Sequence, residues 1–212
     1  KYRIALDKYN RELEKARATG DDEPDEPSEP EYDAKCDALL PVIRGELPAH
    51  FHAHRADDIF TAIRIAREFG LRFSIVHCTD GAAIADILAA EGVTAFSGPT
   101  LSDRSKPELR SLSFETPGIL DRAGVLIGIT TDHPVIPLQY LPLCAALAVR
   151  AGMDKKAALR AITINPAKIL GIDSRVGSLE IGKDADFAVW LGDPLNVMSR
   201  PAAVWINGKK KA

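Results

Sequence analysis

Apolar and polar residues alternate along the chain in three textures. Over residues 1–17, Tyr2, Ile4, Ala5, Leu6, Tyr9, Leu13 and Ala16 make a partial stripe between Lys, Arg and Glu, which predicts a helix. Residues 19–33, TGDDEPDEPSEPEYD, hold eight carboxylates, three prolines and no aliphatic side chain, and read as a solvated loop. A short amphipathic helix is predicted over 34–44. From residue 48 the texture changes. PAHFHAH predicts a strand, and the run from Asp57 or Asp58, either able to cap, to Phe69 predicts a helix closed by Gly70. LRFSIVHC (71–78), VTAFSG (93–98) and VLIGITTD (125–132) are apolar runs of the kind found in buried parallel strands. A helix at 81–91 ended by Gly92, a loop with short helices up to Gly124, helices at 138–151 and 154–164, and a helical turn at PAKILGI fill the intervals. Strand and helix alternate with short connections, the pattern of an α/β fold with a parallel sheet. Beyond residue 175, VGSLEIGKDADFAVWLGDP and AAVWINGKKK predict short antiparallel strands joined by Gly and Asp turns, with Trp190 and Trp205 in a small core.

Composition narrows the function. With 212 residues, 46% of them hydrophobic and a formal net charge of −3, the chain has material for a sizeable core. It lacks the basic stripe of a nucleic-acid binder. No apolar run is long enough for a transmembrane helix. The charged start, KYRIALDKYN, has no signal-peptide pattern. Cys36, Cys78 and Cys144 are few, odd in number and widely spaced, so reduced thiols in a cytoplasmic protein are expected.

The histidines carry the chemistry. All five lie between positions 50 and 133, each at or just past the C-terminal end of a predicted strand. His50, His52 and His54 share one strand at period two; His77 ends the next strand, and Asp132 and His133 end the last. Strand C-termini form the active-site face of parallel α/β folds. Imidazoles and a carboxylate converging there suit a divalent metal, zinc first, with a position open to water; separate structural histidines are the bland alternative.

HAHRADDI, SIVHCTDG, ITTDHP, ALRAITINPAKILGI and VGSLEIGKDADFAVWLGDPL, in that order, resemble the later half of a metal-dependent amidohydrolase, nearest to imidazolonepropionase-related amidohydrolases. The resemblance covers about residues 35–210. It implies strands five to eight of a TIM-type (β/α)8 barrel over 48–174. Residues 1–47 become a lead-in of helix, acidic loop and helix, and 175–212 part of a small β-sandwich. It implies metal ligation by His52, His77 and Asp132, with Asp132 as catalytic general base on a bound water. The metal is zinc, or iron or manganese, since imidazole and carboxylate serve all three. His54 shares a face with His52 and is the alternative ligand; otherwise His54, Arg55 and His133 sit on the rim as substrate-binding residues. Arg55 can equally pair with Asp57 or Asp58. Gly98, Pro99 and Thr100 are expected to shape a loop, and Arg104 and Lys106 belong to a charged rim loop. Cys78 is expected to be a small buried hydrophobe, and Asn165 to be structural.

The implied activity is hydrolysis of a non-peptide C–N bond, such as that of a cyclic amide in a small-molecule substrate. A dipeptidase- or carboxypeptidase-type amidohydrolase shares these motifs. The family's first-strand His-x-His has no counterpart upstream of His52, so an inactive fragment or subunit is the third reading. Four strands leave two bare sheet edges, which calls for the missing N-terminal barrel half, or a homo-oligomer, to cover them. Neither a nucleic acid nor a membrane is expected as a partner.

Overall fold

The computed structural model describes residues 1–18 and 27–211. Most of the acidic stretch at 19–33 therefore lies outside the described residues. The first helix, α1 (Tyr2–Ala18), buries none of its residues. In α2 (Ala34–Ile43), Asp33 caps the start by accepting from the backbone N–H groups of Lys35 and Cys36. Four parallel strands follow, β1 (Ala49–Ala53), β2 (Phe73–His77), β3 (Thr94–Ser97) and β4 (Leu126–Ile129), in the order β1-β2-β3-β4. Helices α3 (Ala56–Phe69), α4 (Ala85–Ala90) and α5 (Thr116–Ala123) connect them. Then come α6 (Leu141–Arg150), α7 (Lys155–Ala161) and α8 (Ile164–Leu170). Strands β5 (Phe187–Leu191), β6 (Arg200–Ile206) and β7 (Lys209–Lys210) form a separate antiparallel sheet. No described helix is long and apolar enough to cross a membrane.

The pleat divides the parallel sheet. Phe51, Ile75, Ala95 and Ile127 are register partners and therefore share a face. That face meets the helices: Ile75, Ala95 and Ile127 join Ile59 and Ile63 of α3, Leu88 of α4, Leu120 of α5 and Ala145 of α6 in one core. The alternate positions, His50, Ser74, Thr94 and Leu126, then His52, Val76, Phe96 and Gly128, share the opposite face. His50 and His52 stay exposed there, and Val76, Phe96 and Leu126 are only half-buried. Asn165 in α8 donates from Nδ2 to the Ile127 carbonyl (2.9 Å), a structural tie between α8 and β4.

Three details depart from the expected boundaries. Helix α3 has Arg55 as its N-cap residue, whose side chain makes no capping bond, and neither Asp57 nor Asp58 stands at that position. Asp80 supplies the cap from the loop after β2: its Oδ2 accepts from the Ala56 N–H at 3.1 Å. The stretch after β2 starts as a 3-10 turn over Thr79–Ile84 before α4, because Cys78 holds a left-handed backbone (φ 49°) that cannot open an α-helix. Residues 176–186 run as bends and irregular chain with one turn at 181–182, and the antiparallel strands begin only at Phe187. There Trp205 stacks on Phe187 with centroids 4.7 Å apart. Asn207 and Gly208, at φ 51° and 70°, make the tight hairpin between β6 and β7.

Candidate metal centre

Three imidazoles gather at the C-terminal end of β1 and β2. His52 projects from β1 onto the open face, and His54 follows one residue past the strand end. Their Nε2 atoms are 3.1 Å apart. His77, an expected ligand, joins the group by a route the strand pattern does not give. Its register partner is Ala53, so strand alternation alone assigns it to the opposite face from His52. Its backbone leaves the strand conformation at φ 76°, and the ring swings to 4.2 Å from that of His52 and 4.4 Å from that of His54. Such a backbone costs a non-glycine residue about 1–2 kcal/mol. Among the described non-glycine residues only His77, Cys78, Asp132 and Asn207 have positive φ, and three of these four stand just at the ends of β2 and β4. Strain of this kind gathers where a fold aims a functional side chain.

One ligand atom from each of His52, His54 and His77 lies within 4.8 Å of the others. Two nitrogens bound to one zinc at tetrahedral angles sit about 3.3 Å apart. Ring nitrogens of this group come as close as the ligands of one small divalent cation do, and the 3.1 Å between His52 and His54 is also the length of a hydrogen bond between them. Asp132 (φ 50°) faces the same cavity of about 180 Å³, together with Pro99, Ser102, Asp103, Lys106 and Val135.

Electrostatics favour the neutral form of His52 and His54, the form that ligation requires. Burial, then the neighbouring His77 and His52, push His54 down to about 4. Burial and His77 also lower His52, with Asp132 pulling the other way. Burial lowers His50 as well. That histidine stands apart from the cluster: its Nδ1 is 2.7 Å from Ser74 Oγ, and its ring meets Phe96 edge-on.

Partners one step out hold the rings. His77 Nδ1 donates to the Gly98 carbonyl at 2.7 Å, and His54 Nδ1 lies 2.8 Å from Thr79 Oγ1. Gly98 brings that carbonyl into place at φ 132°, where any Cβ would overlap the Thr130 carbonyl oxygen. Sequence reasoning gave Gly98 only a loop role and passed over Thr79. The strand-end G-P pair was the available signal for the first; the second had none.

Arg55 is held in a two-point ion pair by Asp57 (2.9 and 2.8 Å) and is exposed. His133 is exposed and does not line the cavity. Arg104 donates to the Leu112 carbonyl at 2.7 Å, which anchors the rim loop; Lys106 faces the cavity. Cys78 is fully buried, and burial pushes its thiol up to about 12, so it is no nucleophile at neutral pH.

Comparison with known proteins gives a consistent picture. The model of the amidohydrolase family matches residues 43–211. Amidohydrolase tasK of Hapsidospora irregularis is 28% identical over 182 residues, covering 83% of this chain and 18% of that protein. Imidazolonepropionase of Sphingopyxis alaskensis is 27% identical over 214 residues, covering 81% of this chain and 51% of that protein. The crystal structure of an amidohydrolase from Thermotoga maritima matches with a TM-score of 0.85 and 42% identity, over 99% of this chain and 53% of that one. The chain thus spans about half the length, or less, of the relatives it matches.

Proposed function

The chain belongs to the amidohydrolase family, and from that premise we propose that it takes part in metal-dependent hydrolysis of a C–N bond outside peptides, such as that of a cyclic amide. The observation that carries this reading is the convergence of His52, His54 and His77 on one point beside Asp132. In this reading the four parallel strands are about the fifth to eighth of a TIM-type (β/α)8 barrel spanning 48–174. Residues 1–47 lead into it, and 175–212 belong to a β-sandwich. The open face and the two unpaired edges, β1 and β4, are then covered by further polypeptide supplying the earlier strands, or by a second copy.

His52, His77 and Asp132 hold the metal, with zinc preferred over iron or manganese because imidazole nitrogens dominate the donor set. A bound divalent ion supplies Lewis acidity and brings the pKa of a coordinated water toward neutrality. The chain's own residues do the rest. Asp132, at the cavity wall, accepts the proton of the water that attacks the carbonyl carbon. His54 contacts the substrate from the side of β1, and Arg55 and His133 stand on the rim. Each would first have to turn toward the cavity, and Arg55 would have to leave Asp57.

The test is a panel of cyclic amides, N-acyl amino acids and dipeptides, scored by released amine with the zinc-supplied protein. Turnover of the cyclic amides is expected, and its loss in Asp132→Asn even at zinc concentrations that keep the weakened site filled through His52 and His77. Turnover confined to dipeptides would favour the peptidase-type relatives. Turnover unchanged in Asp132→Asn would refute the assignment of Asp132.

A further inference from the structure

His54 and His77 are stacked, with ring centroids 4.4 Å apart and planes 9° from parallel, yet their Nδ1 partners differ in kind. The partner of His77 is a backbone carbonyl, that of Gly98. A carbonyl only accepts, so His77 carries its proton on Nδ1 and presents a lone pair at Nε2. The partner of His54 is the Thr79 hydroxyl, which can donate or accept. Thr79 is 4% exposed, and among the described residues its hydroxyl has this one partner. If His54 Nδ1–H were the donor, the Thr79 proton would be buried with no acceptor. An unmet buried donor is the costlier arrangement. The hydroxyl therefore donates to His54 Nδ1, and His54 carries its proton on Nε2. That Nε2–H points at His52 Nε2, 3.1 Å away, which must accept. His52 then carries its own proton on Nδ1, and its Nε2 lone pair, held by that bond in the metal-free chain, passes to a metal when the His54 N–H turns to the substrate.

We propose that Gly98 and Thr79 sort the stacked imidazoles into opposite tautomers. His52 and His77 present lone pairs to a metal, while His54 holds out an N–H beside them as a hydrogen-bond donor to the substrate's carbonyl oxygen. Thr79 is the positioning residue that imposes this on His54. The catalytic half of the statement rests on the metal-hydrolase reading; the tautomers do not. A carbonyl oxygen gains negative charge as its carbon is attacked, and a fixed N–H aimed at it is worth more then than in the ground state. His52, His54, His77 and Asp132 line one cavity together, so a substrate oxygen entering it meets the lone-pair side and the donor at once.

The deciding experiment is a long-range proton–nitrogen correlation spectrum of the metal-free, full-length chain with nitrogen-15 histidine at pH 8, assigned with single His→Gln variants. The expected result is a protonated Nε2 on His54 and protonated Nδ1 on His52 and His77. Thr79→Val should leave His54 a mixture of tautomers without changing His77, and Thr79→Ser should restore the pure form. A wild-type His54 protonated on Nδ1 overturns the proposal. A zinc titration provides the second arm. His54→Gln should shift the dissociation constant less than threefold, whereas His52→Gln and His77→Gln should each weaken it tenfold or more. Equal losses at His54 and His77 would make His54 a ligand and overturn the proposal from the other side. Absence of zinc binding in the wild type would instead strike the metal reading, with the tautomers still judged by the spectrum.

Discussion

The two faces of the parallel sheet differ by one residue of register and by everything else. On the helix-clad face Ile75, Ala95 and Ile127 are fully buried in one core. On the other, His50 and His52 are exposed and Val76 and Phe96 only half-covered. Stability comes from the first face, while the second is left free to carry polar groups that a packed core would exclude. The contrast also explains why His77 matters. It belongs by register to the stable face and is turned to the other by a backbone kink at its own position.

The largest test of this contrast is truncation on each face. Ile75→Ala should cost about 2–5 kcal/mol in urea unfolding, as cavities in closed cores do. Val76→Ala, one residue along, should cost under about 1.5 kcal/mol because its surroundings are already open. Equal losses would erase the distinction. Gly98→Ala comes next. It places a Cβ against the Thr130 carbonyl at φ 132° and should cost about 1–3 kcal/mol in thermal unfolding, with weakened zinc binding because the His77 acceptor moves. A normal melting temperature and unchanged zinc affinity together would contradict the role given to that carbonyl. Smaller still, Asp80→Ala should cost about 1 kcal/mol through the lost cap on α3, while Asp57→Ala, which loses an exposed pair with Arg55 and a long bond from the Asp58 N–H, should cost less. The reverse order would return the cap to α3 itself.

A graded effect follows from pH. His54 is held near 4 in the folded protein against an ordinary value of 6.5, and His50 and His52 are lowered in the same direction. On acidification the unfolded chain takes up these protons first, so stability is present above about 6.5 and is lost as pH falls toward 4. The urea midpoint of the metal-free protein should decline across that window, and His54→Gln should flatten the decline. A midpoint that rises on acidification would refute the burial of neutral imidazoles.

Much of this was legible in the chain. The apolar runs around Ile75, Ala95 and Ile127 announced buried strands, and the order of the motifs from HAHRADDI onward pointed to the family. The period-two spacing placed His52 and His54 together. What the residues alone hid was conformational. Nothing in a strand pattern says that His77 will adopt φ 76° and change faces. Nor does local sequence show that the cap on α3 comes from Asp80, which is brought there by the pairing of β1 with β2. Thr79 was invisible for the same reason: its hydroxyl finds His54 across 25 positions of sequence. The antiparallel strands were announced too early, since the backbone between 176 and 186 bonds locally, as from the Lys183 N–H to the Glu180 carbonyl (3.2 Å) and from the Asp186 N–H to the Asp184 carbonyl (2.9 Å).

The central claim is that the exposed face of the sheet holds a divalent metal through histidine. Zinc K-edge absorption spectroscopy on the protein loaded with one equivalent of zinc tests it directly. The account predicts low-coordinate zinc with nitrogen and oxygen neighbours at about 2.0–2.1 Å and the outer-shell scattering of two imidazoles, reduced to one in His77→Gln. Zinc surrounded only by oxygen at longer distances, with no imidazole scattering and no change in His77→Gln, would contradict it.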